Sequence, residues 1–192
     1  MTKRWVRAAL GVARCLLIGA AVSELAIPFL GYFWHLAHRD KYEQSSLRLQ
    51  IPAPYMAFSS PKMISIVRFN PTVPFFGRVT PISNHFLKES SIAIFPPPNN
   101  QPAFDYKQHY DRVSHFLLGE SQLQGLSPEG TRNFGTQLGQ MYCLQFGNRY
   151  MTRISCFLQG SNLSLMYLGE PKYSEDLYWV ARNISYGETG TR

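Results

Sequence analysis

Two histidines on one predicted helix come closest, by type and spacing, to a catalytic arrangement. His109 follows Asp105 by four residues, and His115 follows Asp111 by the same interval. On a helix, a carboxylate at i, i+4 can orient an imidazole for general-base work. The stretch from Asp105 to His115 is therefore the candidate catalytic element of a periplasmic hydrolase, completed by residues from proline-rich loops. The two rings lie about 240° apart around a helix of 3.6 residues per turn, so they make no metal pair without a distant third ligand. The plainer role of such residues is a solvated helix face. Ser121, Ser127 and Ser161 lack the Gly-x-Ser-x-Gly setting of a nucleophile elbow. Gly130 to Gly139 reads as a polar turn, and no Gly-rich phosphate loop occurs. With no Cys-x-x-Cys or His/Cys cluster, zinc ribbons and thioredoxin-like redox chemistry drop out. No catalytic residue, metal ligand or cofactor is assigned from these patterns.

The element that sets the address is the apolar stretch from Cys15 to Leu36, whose one formal charge is Glu24. As a helix its 22 residues would cover about 33 Å, against a hydrocarbon core of about 30 Å. A single-pass anchor through the lipid bilayer is expected over residues 15–36. Lys3, Arg4, Arg7 and Arg14 precede it, so the N-terminus is expected in the cytoplasm and residues 40–192 outside it. Ala21-Val22-Ser23 resembles a signal-peptide cleavage site, but Arg14 would leave only a short apolar region before the cut. Glu24 near the middle of the span, with Pro28 removing the amide partner of its carbonyl, makes a local polar site. Such a site suits contact with an integral membrane protein partner. A tolerated defect is the plainer account.

The formal charge of +7 is mostly a property of the first residues. Residues 1–38 hold four of the 19 basic and one of the 12 acidic side chains, which leaves 15 against 11. Those charges are scattered singly, so nucleic acid is not an expected partner. Of the three cysteines, Cys15 falls in the apolar stretch and leaves Cys143 and Cys156 as the possible pair. With Gly147-Asn148 as a two-residue turn, Cys143 faces Thr152 and Cys156 stands level with Gly139. The two sulfurs are then about 13 Å apart at roughly 3.4 Å per residue, beyond the Cα separation of about 7 Å that a disulfide allows. Two free thiols are expected unless the turn is centred on Arg149-Tyr150.

Residues 1–38 thus read as a cytoplasmic N-terminus with membrane anchor, 39–45 as a linker, 46–186 as an extracytoplasmic α+β domain and 187–192 as a tail. Leu47, Leu49 and Ile51 alternate as a first strand stopped by Pro52 and Pro54; Ile64 to Phe69 and Ser91 to Phe95 follow. Pro71, Pro74, Pro81 and Pro96 to Pro98 mark long loops, in which Phe75 and Phe76 are candidate contacts for a lipid or small ligand. Asp105 caps a helix with Gln108 in the capping-box position, and Tyr106, Tyr110, Val113 and Leu117 recur before Gly119 ends the pattern. Glu120 to Thr136 carries loop signals, with a turn at Ser127-Pro128-Glu129-Gly130. Gln140 to Phe146, Arg149 to Leu158 and Leu163 to Leu168 form a meander of hairpins. Ser174 caps a last helix with Leu177, Val180, Ala181 and Ile184 as its apolar stripe. Asn162 and Asn183 begin glycosylation-like triplets without further support.

This order of strands, helix, meander and closing helix, over roughly residues 46–185, resembles the PsbP-like family and its bacterial DcrB-like relatives. The resemblance rests on the strand ending in Ile51-Pro52, the helix after Asp105, the meander around Gly147 and Gly160, and the closing helix before Asn183-Ile184-Ser185. The membrane anchor and the proline-rich insert near Pro96 depart from it. What it implies is an antiparallel sheet with flanking helices and a non-catalytic accessory role in a membrane or envelope assembly. The expectation is a bacterial inner-membrane accessory or adaptor protein. The hydrolase and the lipid- or small-ligand-binding module are the alternatives.

Overall fold

A computed structural model of the chain describes residues 2–26, 29–44, 46–69, 88–97 and 105–187. Helices α1 (Thr2–Ala26) and α2 (Leu30–His38) come first, followed by strands β1 (Lys41–Gln44), β2 (Leu47–Gln50), β3 (Met56–Ser59), β4 (Ile64–Phe69) and β5 (Lys88–Phe95). Helix α3 (Tyr106–Leu123) leads into β6 (Ser127–Thr136), β7 (Gly139–Gly147), β8 (Thr152–Leu158) and β9 (Ser164–Gly169). A 3-10 turn, Pro171–Tyr173, precedes α4 (Glu175–Arg182) and β10 (Ser185–Tyr186). The class is α+β, with antiparallel sheets.

Seven strands pair in the order β3-β4-β5-β9-β8-β7-β6, and β1-β2-β10 form a smaller sheet. Because successive side chains point to opposite faces, register decides what meets. Ile66, Ile92, Tyr167 and Ile154 form one cross-strand row. Ile64, Ile94, Leu165, Cys156 and Cys143 form the next. These rows are buried in one cluster with Leu47 and Leu49 of the small sheet and with Leu177, Tyr178, Val180 and Ala181 of α4. Burying each large apolar side chain contributes about 1.5–3 kcal/mol, so this face carries most of the fold. The stripe expected on the last helix is the one that packs. On the opposite face α3 lays Leu117 over Leu144 and Phe146, with Val113, Leu118 and Phe157 at the margin.

The apolar stretch 15–36 is not one helix. Among the described residues, no helix is long and apolar enough to cross a membrane. The stretch is divided between α1, which also carries Lys3, Arg4, Arg7 and Arg14, and the nine-residue α2. The second half belongs to the domain: Gly31 is buried, a Cβ there would clash with the Pro54 carbonyl oxygen, and Trp34 packs on the main core. Residues 41–44, expected in a linker, pair with β2.

Cys143 and Cys156 are joined by a disulfide, contrary to the free thiols expected. The turn is not Gly147-Asn148 but a loop closed by Asn148, whose Oδ1 accepts the backbone N–H of Tyr150 at 2.8 Å and of Met151 at 2.9 Å. That side-chain turn sets Gly147 opposite Thr152 and the two cysteines opposite each other.

Three other boundaries move. Helix α3 runs through Gly119, whose cost of about 1 kcal/mol is outweighed by packing on either side. It stops before Gly125, which has φ +69°. The expected turn at Ser127 to Gly130 is the start of β6, with a bulge between Pro128 and Gly130. Pro128 is tolerated because β6 is an edge strand. Ser174 makes no side-chain capping hydrogen bond, because α4 is entered through the preceding 3-10 turn with Ser174 already in the helical region.

Candidate ligand cavity

Helix α3 covers only part of its face of the large sheet, and a cavity of about 590 Å³ lies beside it. Val113, Phe116 and Leu117 of α3 form one wall, at the i, i+3, i+4 spacing that keeps a single helix face inward. Strand β8 supplies Arg153, Ser155 and Phe157 at alternate positions, β9 supplies Ser164 and Met166, and β5 ends at the cavity with Phe95. The volume falls within the range of about 300–1,000 Å³ typical of small-molecule sites, and so does the mixture of apolar walls with a few polar groups. Phe116, 64% exposed, stands at the rim.

Arg153 is the polar centre. It is 7% exposed, in a strand otherwise occupied by core residues, because its guanidinium reaches across to α3. Its NH2 donates to Glu120 Oε2 at 2.6 Å. The Nε–H of Arg153 has no hydrogen-bond partner among the described residues. Glu120 is one helical turn beyond Phe116 and Leu117, so the same α3 face offers two apolar groups and a counter-ion. The hydroxyl of the fully buried Ser121 is likewise without a partner among the described residues. The arrangement can enclose an apolar body beside a guanidinium whose charge is already matched by Glu120.

The residues selected from sequence fall elsewhere. His115 is exposed and lines a different groove, with Ser114, Pro128, Gly130 and Thr131. His109 and Asp111 lie on α3, but their side chains are outside the described residues. Asp105 precedes α3 and accepts a hydrogen bond from Gln159 Nε2 at 2.9 Å, fixing the helix start to the β8–β9 connection. Ser121, Ser127 and Ser161 sit on three separate elements: late in α3, at the start of β6 and between β8 and β9. Glu24 lies on α1 with its side chain outside the described residues, as are Pro28, Phe75 and Phe76 entirely. Asn183 Nδ2 donates to the Trp179 carbonyl at 2.8 Å at the end of α4. Among the described residues, no group of three or more His, Cys, Asp or Glu side chains could hold a metal ion. Sequence reasoning missed Arg153 and Glu120. The available signal was a lone charge in the buried run Thr152–Leu158, but its partner comes from another element.

No protein-family model matches the chain, and no curated protein does. Among solved structures, the chain is similar to the solution structure of cyanobacterial PsbP (CyanoP) from Synechocystis sp. PCC 6803, at 9% identity and a TM-score of 0.43. The match covers 76% of this chain and 91% of that one. At that identity and score the likeness assigns neither function nor site.

Proposed function

We propose that the chain is a non-catalytic accessory protein, held at a lipid bilayer by α1, with its α+β domain in an extracytoplasmic compartment. The observation that carries this reading is the state of α1. Leu10, Val12, Leu16, Leu17, Ile18 and Val22 are all exposed, Leu17 by 71%. At 100° per residue these six positions are spread around the whole circumference rather than along one stripe. Large apolar side chains exposed together on one helix mark a surface that meets a membrane or another protein, and the reading takes the membrane. The reading requires attachment of α1 to lipid, not a crossing by it. The Cys143–Cys156 disulfide supports the compartment, since such bonds persist where the surroundings are oxidising.

Beside the membrane, the proposed role is that of an adaptor in an envelope assembly, with Glu24 on α1 meeting an integral membrane partner. The test is recovery of full-length protein in washed membranes of a bacterial host. The parent should sediment with membranes, and the triple variant Leu16→Ser, Leu17→Ser, Ile18→Ser should move to the supernatant while keeping the parent's thermal midpoint. Membrane recovery unchanged by the triple variant would overturn attachment through α1.

A further inference from the structure

The basic residues of α1 are placed with an order that attachment through apolar side chains does not require. At 100° per residue, the helical positions of Lys3, Arg4, Arg7 and Arg14 fall within one sector of about 100°. Trp5, Val12 and Leu16 fall on the opposite side, within about 50° of the point diametrically across from that sector's centre. No Asp or Glu precedes Glu24, so no carboxylate within the stripe's own length offsets it. After Arg14 the pattern changes, because Ile18 and Val22 take the sector that the basic residues hold before them. About four turns of α1 are thus two-faced, basic on one side and apolar on the other.

We propose that this basic stripe binds the phosphate groups of anionic phospholipids, so that α1 selects a negatively charged leaflet rather than any bilayer. That choice of lipid presupposes the membrane attachment proposed above. Two observations select the occupant. The first is charge: four basic positions on one side complement a negative surface, and each Lys or Arg near such a surface strengthens binding about fivefold. The second is the side across from them. Val12 is 61% and Leu16 69% exposed, and Arg14 is exposed as well, so protein covers neither side there. A helix in a membrane interface sinks its apolar side to the acyl boundary and keeps its basic side among the headgroups. A nucleic acid or an acidic protein surface against the stripe would leave the apolar side in water, whereas a leaflet takes both sides at once.

The test is flotation of full-length protein, diluted from detergent, with vesicles of phosphatidylcholine alone or of an equimolar mixture with phosphatidylglycerol. At low salt the parent should prefer the anionic vesicles by about two orders of magnitude, and near 1 M salt, where charges are screened within about 3 Å, it should bind both alike. Arg7→Gln with Arg14→Gln should cut the low-salt preference about 25-fold, at about fivefold per charge. Its binding to phosphatidylcholine and its thermal midpoint should match the parent's. Arg7→Lys with Arg14→Lys should keep the preference, since the interaction is with the charge. The same loss of charge from exposed domain positions, in Lys62→Gln with Arg149→Gln, should keep it too. Equal low-salt binding of the parent to both vesicles would overturn the choice of anionic lipid while leaving attachment in place. A domain variant that loses as much as the helix variant would assign the preference to overall charge and remove the stripe. Preference of the parent for duplex DNA over anionic vesicles, lost in Arg7→Gln with Arg14→Gln, would move the stripe to nucleic acid. Failure of the parent to float with either vesicle would overturn attachment itself, and the choice of lipid with it.

Discussion

Tyr55 joins parts of the chain that share no sequence neighbourhood. Its side chain is fully buried, and its hydroxyl lies 2.6 Å from Ser90 Oγ on β5 and donates to Asp176 Oδ2 on α4 at 2.7 Å. Burial pushes its pKa above the ordinary tyrosine value; the Ser90 contact opposes that shift and the neighbouring Asp176 adds to it. Tyr167 and Tyr178 are also raised, burial being the largest cause in each. In the unfolded chain these phenols titrate near pH 10, at about the ordinary value. A group whose folded pKa is raised keeps its full contribution below the unfolded value and loses it as pH climbs toward the folded one. Stability should therefore be level with respect to these groups from pH 7 to 9 and fall above about pH 10. Tyr55→Phe should make that alkaline fall shallower. At neutral pH it should cost about 1–2 kcal/mol, because Asp176 and Ser90 lose a buried partner. Urea unfolding of both proteins at neutral and alkaline pH checks this, and parallel curves would contradict it.

The β7–β8 hairpin shows how much a single turn decides at the scale of elements. If Asn148 did not collect two backbone amides, the register would move, and the cysteine sulfurs with it. In unreduced protein, alkylation should label Cys15 alone, with Cys143 and Cys156 labelled only after denaturation and reduction. Reduction should lower stability by about 3 kcal/mol, the chain-entropy value for a loop of this size, read as a fall in the urea midpoint. What sequence made legible follows the same logic. Strands β2, β4 and β9 and helix α4 bury one face against a core, and burial writes a period of two or 3.6 into the chain, while β8, buried on both faces, reads as a near-continuous apolar run. Strand β6 is mostly exposed at a sheet edge, so its Ser127 to Thr136 run carries no such imprint and reads as loop. Strand β1 fully buries none of its four residues and β3 buries Met56 and Ala57 side by side, so neither alternates buried with exposed as the equally short β2 does. The cavity was illegible because it is made by juxtaposition. Arg153 and Glu120 are 33 positions apart and meet only through the packing of α3 on β8.

For the whole molecule, the central fact is that one apolar stretch serves two environments. Residues after Pro28 are used by the domain: Gly31 faces the Pro54 carbonyl, Trp34 packs on the main core, and His38 stacks on Trp34 with ring centroids 4.3 Å apart. Residues before it put their described side chains into the surroundings. This division makes opposite predictions for the two halves. Deleting residues 2–26 should leave the thermal midpoint of the remaining chain unchanged, because none of the α1 side chains described contributes to either core cluster. Gly31→Ala should lower it, although alanine favours a helix over glycine by about 1 kcal/mol. The added methyl would clash with the Pro54 carbonyl oxygen and carbon, and both are backbone atoms that no rotamer can move aside. Helix α2 must then lift from the Pro52 to Tyr55 turn, at a net cost of about 1–3 kcal/mol. Trp34 would gain solvent with it, and its fluorescence should shift to the red. A Gly31→Ala protein as stable as the parent, with unshifted emission, would return residues 30–36 to the apolar stretch before them and remove α2 from the domain.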